Sequence, residues 1–557
     1  MRTKVVLLRP EYSLNVYSPT YKLRFSPGRK QVSTPLQLMQ LGGAVVAAGH
    51  DVRIIDGEAE NLENATLAQR IVAERPDVVG VTCTTPEYHT AKDLIVRIRQ
   101  ALPTAIIVIG GAHATHVPWQ LADEIAELDY IVMNEGERAL VAVANGDVAL
   151  LREYATNALA VMDLVGADYS SNARGRVLLG PAQTQEDLES ISPVRALPYI
   201  DMRFYRYCDP EHGLVITDSV ETARGCPFGC TFCSSARSGL TMRSIPNVLD
   251  ELQALNSRFR AMGSNGFVVF LDDTLTFSRP RARELFEGMA RRGLSLHCTG
   301  FTRANTIATK YGIAEDIDFV RLMRRVGFRS ISFGIETGSE HLNSALNKGV
   351  ALDDYRKAYR ILRRAGFEEM RGSFIVGNPY ETEQTVQESI RFAKELKLHR
   401  VGVNIMTPYP GTDAFDDARH GRGLYFEPNA NDYQNYRRWG QSVVSTESLN
   451  PRALEYWHAR FLAEVYGSRH CIAHALGELR NGNLSFYYHR PVTSGAFRQL
   501  RMRLDGQWDR PPKFSAPDHR NYRSRDWGQA HVRKSDCRQF LRQRYYTVSA
   551  HALNLAG

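Results

Sequence analysis

Short apolar segments and helical patterns alternate along the first 140 residues of the chain. The apolar segments are rich in valine and isoleucine, which is typical of parallel strands that are buried on both faces. Between them, apolar residues recur at the spacing of one helix face. The alternation predicts an α/β fold with a doubly wound, Rossmann-like sheet. The predicted strands are residues 4–8, 51–56, 78–82, 105–109 and 130–133, and the predicted helices are residues 35–48, 66–73 and 90–101.

A second series of strands and helices follows a stretch of weaker pattern. Six βα units within about 200 residues predict a partial (β/α)6 barrel of the TIM type. We expect four parts: a Rossmann-like domain (1–145), a linker (146–215), the partial barrel (216–415) and a mainly helical, basic C-terminal domain (416–557). The barrel strands are predicted at residues 221–224, 266–271, 296–300, 330–334, 372–376 and 400–406.

The positive charge of the chain is concentrated near its C-terminus. The net charge is +8 over 557 residues, and residues 481–557 hold 14 Lys or Arg against 5 Asp or Glu, a charge of +9. Such a segment could bind an anionic or carrier-bound substrate, or it could be a solvated, arginine-rich surface. No nucleic-acid motif accompanies it, so a nucleic-acid partner is not expected.

Two further features indicate a cytoplasmic protein without membrane contact. No apolar run reaches the ~20 residues that a membrane span needs, and the apolar run before Arg9 is too short for a signal-peptide core. Three of the eight cysteines fall within eight residues. In a reducing compartment such clustering indicates metal binding rather than disulfides.

The clustered cysteines are Cys226, Cys230 and Cys233, and they follow the first predicted barrel strand, where the active sites of barrels form. Three thiolates on one loop can hold three irons of a [4Fe–4S] cluster, and the fourth iron is then free to bind S-adenosylmethionine. A structural zinc site, the alternative, takes four ligands, usually as two separated pairs. The remaining cysteines form no second pair.

This spacing, with an aromatic residue before the last cysteine, resembles the signature of the radical S-adenosylmethionine superfamily. The resemblance extends over about residues 216–412. It implies that Phe232 packs near the adenine and that Arg303 and Glu336 help to hold S-adenosylmethionine. Each of these side chains could instead serve core packing or a strand-end ion pair.

Polar residues at the carboxyl ends of barrel strands converge on one mouth. Asp272 and Asp273 end the second predicted strand, and Tyr409 follows the sixth. We take Asp273 and Tyr409 as candidate catalytic residues. The two aspartates could instead cap the following turn.

Three segments of the first domain resemble the cobalamin-binding domain of cobalamin-dependent radical S-adenosylmethionine enzymes. They contain the sequences VVGVT, IGGAHAT and NEGE. The adjacent glycines of the second segment would let the backbone approach a bulky ligand closely. The resemblance implies that the residues which contact cobalamin are Thr82, Gly110, Gly111, His113, Glu135 and Gly136.

One departure from that family concerns the lower cobalt ligand. Many cobalamin proteins use an Asp-x-His-x-x-Gly segment, but here Glu58 stands at the histidine position and Asn61 at the glycine position. We therefore predict that no histidine of the loop 56–61 binds cobalt, and that His113 and His116 make phosphate, amide or structural contacts. A dinucleotide site, the alternative for this domain, lacks its glycine fingerprint, since Arg9 and Pro10 follow the first strand.

Together the two resemblances imply a cobalamin-dependent radical C-methyltransferase. It would move a methyl group from S-adenosylmethionine through methylcobalamin to a carbon of a specialised metabolite, with an electron donor such as flavodoxin or ferredoxin. A cobalamin-dependent radical cyclase or rearrangement enzyme is the second hypothesis. A zinc- and cobalamin-binding sensor or scaffold is a third, from outside the enzymes.

Overall fold

The computed structural model describes residues 2–11, 34–191, 197–209, 213–367, 369–439, 441–480, 514–517 and 531–543. The first sheet has six parallel strands in the order β2-β1-β3-β4-β5-β6, so the prediction of a doubly wound front domain is confirmed. The strands are β1 (Lys4–Arg9), β2 (Asp51–Asp56), β3 (Val78–Thr82), β4 (Ile106–Gly110), β5 (Tyr130–Asn134) and β6 (Val177–Gly180).

Helices cover both faces of this sheet, which explains why its strands are apolar without alternation. The predicted helices are present with boundaries shifted by a few residues. The helices of this part are α1 (Leu36–Ala47), α2 (Gly57–Glu60), α3 (Asn64–Glu74), α4 (Tyr88–Ala101), α5 (Ala112–His116), α6 (Pro118–Glu124), α7 (Glu137–Asn145), α8 (Val148–Leu164) and α9 (Gln185–Ser190).

The segment expected as a linker, residues 146–215, belongs largely to the front domain. Its β6 pairs in parallel with β5 and forms the edge strand of the sheet on that side, and α8 packs against β6. The linker prediction was therefore wrong in this region. A four-residue strand carries too few positions for an alternation or a long apolar run to reveal it.

The second sheet has seven strands in the order β15-β14-β13-β12-β11-β8-β7. All neighbours are parallel except the β7–β8 pair, so six parallel strands form the predicted partial barrel. The strands are β7 (Arg206–Asp209), β8 (Gly213–Val220), β11 (Asn265–Phe270), β12 (Leu296–Thr302), β13 (Phe328–Glu336), β14 (Glu369–Val376) and β15 (Arg400–Ile405).

The first barrel strand lies earlier than predicted. It is β8, whereas the predicted segment 221–224 contains only the short β9 (Ala223–Arg224), which pairs with β10 (Thr241–Met242). The strand β8 holds three buried polar residues, and one of them, Asp218, accepts a hydrogen bond of 2.6 Å from Thr34. These polar positions interrupt the apolar run that would have identified the strand.

Seven helices of the described chain follow the barrel strands on the outside. The helical periodicity of the sequence predicts five of them, at residues 247–255, 281–292, 316–325, 352–365 and 383–396, and the structure confirms these five. The helices are α10 (Ile245–Ala261), α11 (Arg279–Arg291), α12 (Ala304–Ile307), α13 (Ile313–Arg325), α14 (Glu340–Ala345), α15 (Leu352–Arg364) and α16 (Glu383–Leu396).

The C-terminal part contributes helices and one small sheet. Strands β16 (Leu424–Phe426) and β17 (Val444–Thr446) pair antiparallel between α17 (Asp413–His420) and α18 (Pro451–Arg480). A last helix, α19, covers residues 534–543. Most of the basic segment 481–557 lies outside the described residues, Arg501 and Arg503 included. Within the described ranges, no helix is both long enough and apolar enough to cross a membrane.

Candidate active site

A cavity of about 470 Å³ lies between the front domain and the barrel. Its first wall, here the front wall, is formed by the carboxyl ends of β3, β4 and β5 and by α1. Five of the six residues that were predicted to contact cobalamin lie in this wall. They are Thr82, Gly110, Gly111, Glu135 and Gly136. Their role in binding cobalamin stays a prediction.

The shape of the front wall fits a bulky organic cofactor. A Cβ atom at Gly110 would meet its nearest neighbour, the carbonyl oxygen of Val132, only at 3.8 Å, so a side chain there would occupy the cavity. Gly111 has a φ of +98° and approaches the backbone of Cys83, where a Cβ atom would be 2.7 Å from the carbonyl oxygen. Behind the glycines the lining is apolar, which suits cobalamin in its size and its apolar portions. The apolar residues are Leu7, Leu38, Leu41, Val81, Val108, Val132 and Leu140.

The sixth predicted residue, His113, is not part of the wall. It is fully buried, with its ring centroid 4.7 Å from that of Tyr433 and 5.2 Å from that of Tyr88. Burial lowers the pKa of His113 to about 3, so the imidazole is neutral. The neighbouring His116 is equally buried and donates from Nδ1 to the carbonyl oxygen of Val532 at 2.6 Å. Both histidines make structural contacts.

The loop 56–61 also lies outside the cavity lining. The Asp56 carboxylate accepts hydrogen bonds from Arg9 at 2.9 and 2.7 Å and from the Tyr205 hydroxyl at 2.7 Å. Glu58, at the position of the missing histidine, forms an ion pair of 3.2 Å with Arg9. The two carboxylates are thus held against β1 rather than toward a ligand.

The second wall, here the barrel wall, is formed by the cysteine loop, residues 225–240 between β9 and β10, and by the end of β11. Gly225, Ser235 and Ser238 of the loop line the cavity, and so does Asp273. The Ser238 hydroxyl accepts a hydrogen bond of 3.0 Å from the backbone N–H of Cys226.

The three cysteines are partly or fully buried on the cysteine loop. Burial raises the pKa of Cys226, and burial together with the charge of Asp273 raises that of Cys233 to about 12. Ligand thiolates therefore need the positive charge of bound iron to replace their protons. Among the described residues no three His, Cys, Asp or Glu side chains are arranged around a position for one metal ion. A cubane differs from such a site, since each thiolate binds its own iron.

Arg303, Glu336 and Phe232 lie close together near Cys230, and their role in binding S-adenosylmethionine stays a prediction. An Arg303 nitrogen lies 4.0 Å from the Cys230 sulfur, and the guanidinium stacks 3.6 Å above the ring of Phe228. Glu336, at the end of β13, has a φ of +71°, a strained conformation for a non-glycine residue. Strain of this kind is concentrated at functional sites.

Lys348 links these residues, and the sequence analysis missed it. Its ammonium lies 2.8 Å from a Glu336 oxygen and 5.7 Å from the ring centroid of Phe232, and its carbonyl oxygen accepts a hydrogen bond from Arg303. Burial would lower the pKa of Lys348, but the charge of Glu336 more than compensates and raises it. A lysine in the loop after the strand that ends in Glu336 was the available signal. Two buried cations and one carboxylate leave a positive charge beside the cysteine loop.

The structure places Asp272 and the two candidate catalytic residues, Asp273 and Tyr409, in different surroundings. Asp272 is buried and accepts a hydrogen bond of 2.7 Å from the Thr222 N–H, so it anchors the chain just before β9. Asp273 lines the cavity, and burial raises its pKa. Tyr409 does not line the cavity, and its hydroxyl donates to the carbonyl oxygen of Tyr436 at 3.1 Å.

Arg224 lies where the two walls meet, and the sequence analysis also passed over it. Its guanidinium forms ion pairs with Glu135 (2.5 Å) and Glu137 (2.9 Å) of the front domain and with Glu221 (3.0 Å) of the barrel. Its position two residues before Cys226 was the available signal. The Glu135 carboxylate, predicted to face cobalamin, is therefore already engaged by the protein.

Lys534 and Arg538 of α19, in the C-terminal part, also line the cavity. Residues 531–543 are anchored to the front domain and to α17. Val532 exchanges two backbone-mediated hydrogen bonds with His116, and Arg533 forms ion pairs with Asp413 and Asp416 of α17.

Two protein-family models match the chain. The model of the B12 binding domain matches residues 29–144, and that of the Radical SAM superfamily matches residues 220–393. An uncharacterised methyltransferase of Pyrococcus horikoshii is 30% identical over 387 residues, which is 69% of this chain and 78% of that protein. The anaerobic magnesium-protoporphyrin IX monomethyl ester cyclase of Cereibacter sphaeroides is 29% identical over 427 residues, or 75% of this chain and 64% of the cyclase.

A solved structure with the same fold is the radical S-adenosylmethionine methyltransferase TsrM from Kitasatospora setae, determined with cobalamin and a [4Fe-4S] cluster bound. It matches with a TM-score of 0.57 at 17% identity and covers 84% of this chain and 89% of TsrM. Both predicted domains, in their predicted order, are thus confirmed. The chain belongs to the cobalamin-dependent radical S-adenosylmethionine enzymes.

Proposed function

We propose that this enzyme is a cobalamin-dependent radical S-adenosylmethionine C-methyltransferase that methylates a carbon of a specialised metabolite. The observation that carries the proposal is the cavity that the front wall and the cysteine loop line together. A substrate held there would lie between the two proposed cofactor sites. Methyltransferases are among the relatives that support the class of reaction.

The residues on the two sides of the cavity would bind different cofactors. Cys226, Cys230 and Cys233 would hold the cluster, while Gly110 and Gly111 would admit the corrin. When bound, the cluster and S-adenosylmethionine supply a hydrogen-abstracting radical, and cobalamin supplies a transferable methyl group. The protein holds the reactants in line and excludes water.

The cations near Cys230 would bind S-adenosylmethionine. Arg303 and Lys348 together exceed the charge of Glu336, so a ligand carboxylate would complete the balance. Glu336 is positioned by Lys348 to accept from an ammonium or hydroxyl group of the same ligand. Phe232, which is partly buried, would provide an apolar contact for the adenine.

Asp273 is the best candidate for contact with the substrate. It lies in the cavity lining at the end of β11, and burial with the nearby charge of Glu221 raises its pKa, against the effect of Lys534. A carboxyl group with a raised pKa can exchange a proton or orient a polar group of the substrate. Tyr409 would act through the packing of the C-terminal part.

Radical S-adenosylmethionine enzymes act on small molecules and need a reductant. We propose flavodoxin or ferredoxin as the electron donor. The basic C-terminal segment suggests an anionic or carrier-bound substrate.

The proposal is tested with anaerobically reconstituted protein that contains both cofactors, chemical reductant and S-adenosylmethionine with a deuterated methyl group. We expect 5′-deoxyadenosine and S-adenosylhomocysteine to form together, with the labelled methyl group on a metabolite from a cell extract. Formation of S-adenosylhomocysteine should require added cobalamin. Deoxyadenosine without S-adenosylhomocysteine, in the presence of a consumed substrate, would exclude methyl transfer.

A second candidate is a radical cyclase that uses the same cofactors. It is favoured by the 29% identity with the magnesium-protoporphyrin cyclase. Product masses discriminate between the two, because a cyclase product gains no carbon. Iron and sulfide analysis of the anaerobically purified protein separates both from a zinc-containing scaffold.

A further inference from the structure

A group of side chains around Arg224 makes an extensive polar contact between the two walls. We name it the Arg224 cluster; it consists of Arg224, Glu221, Glu135, Glu137 and Gln40. Beyond its three ion pairs, Arg224 donates a hydrogen bond of 2.9 Å to the Gln40 side chain, which in turn donates to Glu221 at 3.0 Å. Every nitrogen of the guanidinium thus has a partner. Three of the four partner residues belong to the front domain, and the fourth, Glu221, belongs to the barrel.

The Arg224 cluster is withdrawn from solvent. The side chain of Arg224 is 16% exposed and that of Glu137 6%. A buried arginine fork that fits several carboxylates fixes their geometry far more strictly than a flexible lysine would. Removing one member leaves charges that are buried and uncompensated. The two domains are therefore held in one relative placement at this point.

The connection from Arg224 to the cysteines is short and stiff. Arg224 lies in β9, whose pairing with β10 closes the two ends of the cysteine loop. Gly225 has a φ of +93° and packs directly against the backbone of Gly239, so no side chain fits between the loop ends. On the other side, Glu135 and Glu137 flank Gly136 in the loop that lines the front wall.

Two cations of the basic C-terminal part lie near the carboxylates of the Arg224 cluster. Three carboxylates face a single arginine, and Lys534 and Arg538 of α19 line the same cavity. Burial would raise the pKa of Glu135, but the charge of Arg224, supported by those of α19, lowers it. The helix α19 thus adds two positive charges that favour the ionised form of Glu135.

We propose that Arg224 is a positioning residue that fixes the distance between the cobalamin-facing loop of residues 134–137 and the cysteine loop. This inference rests on the proposed function, because it assumes that the two loops carry cobalamin and the cluster. Radical and methyl donor must lie in line with one substrate carbon, and a small displacement between them would be costly. Arg224 would act through the loops and would not touch the reacting atoms.

The experiment compares R224Q and R224K with R279Q. Arg279 is a matched control, because it is buried in an ion pair of 2.6 Å with Asp316 but contacts neither the front wall nor the cysteine loop. The readout is the magnetic interaction between the reduced cluster and cob(II)alamin in the loaded protein, measured by electron paramagnetic resonance. Hydrogen exchange of the cofactor-free protein at residues 134–137 and 225–233 is the second readout.

We expect R224Q to broaden the distribution of distances and to increase exchange at both loops at least tenfold. R224K should lie between R224Q and wild type, because lysine keeps the charge but loses the fork. R279Q should leave both readouts unchanged while losing stability. An unchanged magnetic interaction in R224Q, with cofactors bound as in wild type, would overturn the inference.

A milder variant keeps the test decisive if R224Q does not fold. Gln40→Leu removes one partner of Arg224 without leaving a buried charge, and the same two readouts should shift in the same direction by a smaller amount. Unchanged readouts in Q40L, where R224Q is insoluble, would also overturn the inference. A wild-type protein that binds no cobalamin would instead refute the proposed function, so the two failures are distinguishable.

Discussion

The two walls of the cavity differ in how they are built to bind. The front wall presents glycines and apolar side chains, and its nearby histidines are buried and neutral. The barrel wall includes the loop that carries the three cysteines, and beside it lies a charged group of two cations and one carboxylate. Shape would therefore decide binding on the front wall and charge on the barrel wall. Electrostatic changes should have their largest effects on the barrel side.

The largest effect should come from the thiols of the cysteine loop. Each of C226S, C230S and C233S should lose the cluster and all 5′-deoxyadenosine formation, because a serine hydroxyl is a poor replacement for a thiolate ligand. Iron and sulfide content after anaerobic reconstitution is the measurement. C298A, at a buried cysteine of β12 away from the loop, should keep its iron. Full iron content in a loop variant would contradict the assignment.

The next largest effect should come from the charged group near Cys230. K348M should weaken the binding of S-adenosylmethionine about tenfold or more, since a charge-assisted hydrogen bond contributes about 1.5–3 kcal/mol. It should also lower the free energy of unfolding by about 3–5 kcal/mol, because Glu336 is left buried and unpaired. Equilibrium dialysis and urea denaturation measure the two effects.

A double variant separates ligand binding from stability in that group. K348M/E336Q should recover part of the lost stability, since it no longer buries a lone carboxylate, but should not recover binding of S-adenosylmethionine. Recovery of both would mean that Lys348 serves the fold alone.

The front wall should respond to shape. G110L should reduce cobalamin affinity about tenfold or more, because overfilling a packed site typically costs about 1–3 kcal/mol, while cluster content stays unchanged. Absorbance titration with aquacobalamin is the measurement. G402L is the matched control, since a Cβ atom at Gly402 in β15 would also find its nearest neighbour at 3.8 Å. Equal affinity of G110L and wild type would mean that the corrin lies elsewhere.

The smallest effect concerns the neutral histidines of the front domain. The pKa of His113 is about 3 when folded, below the usual 6.5, so the unfolded chain binds the proton between these values. The contribution of neutral His113 to the free energy of unfolding is complete above pH 6.5. It is lost as the pH falls toward 3, at no more than about 1.4 kcal/mol per pH unit. The free energy of unfolding of H113Q should therefore depend less on pH than that of wild type, as measured by denaturation between pH 5 and 7. H341Q, at an exposed histidine, should keep the wild-type slope.

The sequence revealed those parts of the fold whose pattern is long or chemically dense. Strands with uninterrupted valine and isoleucine were located within a few residues, and Cys226, Cys230 and Cys233 identified the barrel. The strand β6 is too short to carry a pattern, and the buried polar side chains of β8 conceal an otherwise apolar strand. Local periodicity reveals neither β6 nor β8, because these segments become strands through pairing with strands that are distant in sequence.

Prediction of the site succeeded for residues fixed by the backbone and failed for partners distant in sequence. Gly110 and Gly111 follow a strand end, so topology alone placed them in the cavity. Lys348 and Arg224 owe their positions to ion pairs with carboxylates 12 and 87–89 residues away. No short motif contains such pairs. His113 was assigned to the wall from a motif, although its helix turns it into the core.

The docking of residues 531–543 has a consequence for the order of events during biosynthesis. Both domains emerge from the ribosome before this segment, which supplies one side of the cavity and contacts His116 and α17. Until it is synthesised, the space between the domains is open on that side. Synthesis of residues 531–543 therefore completes the cavity only after both domains have been made, and a deletion of this segment would leave both domains but open the space between them.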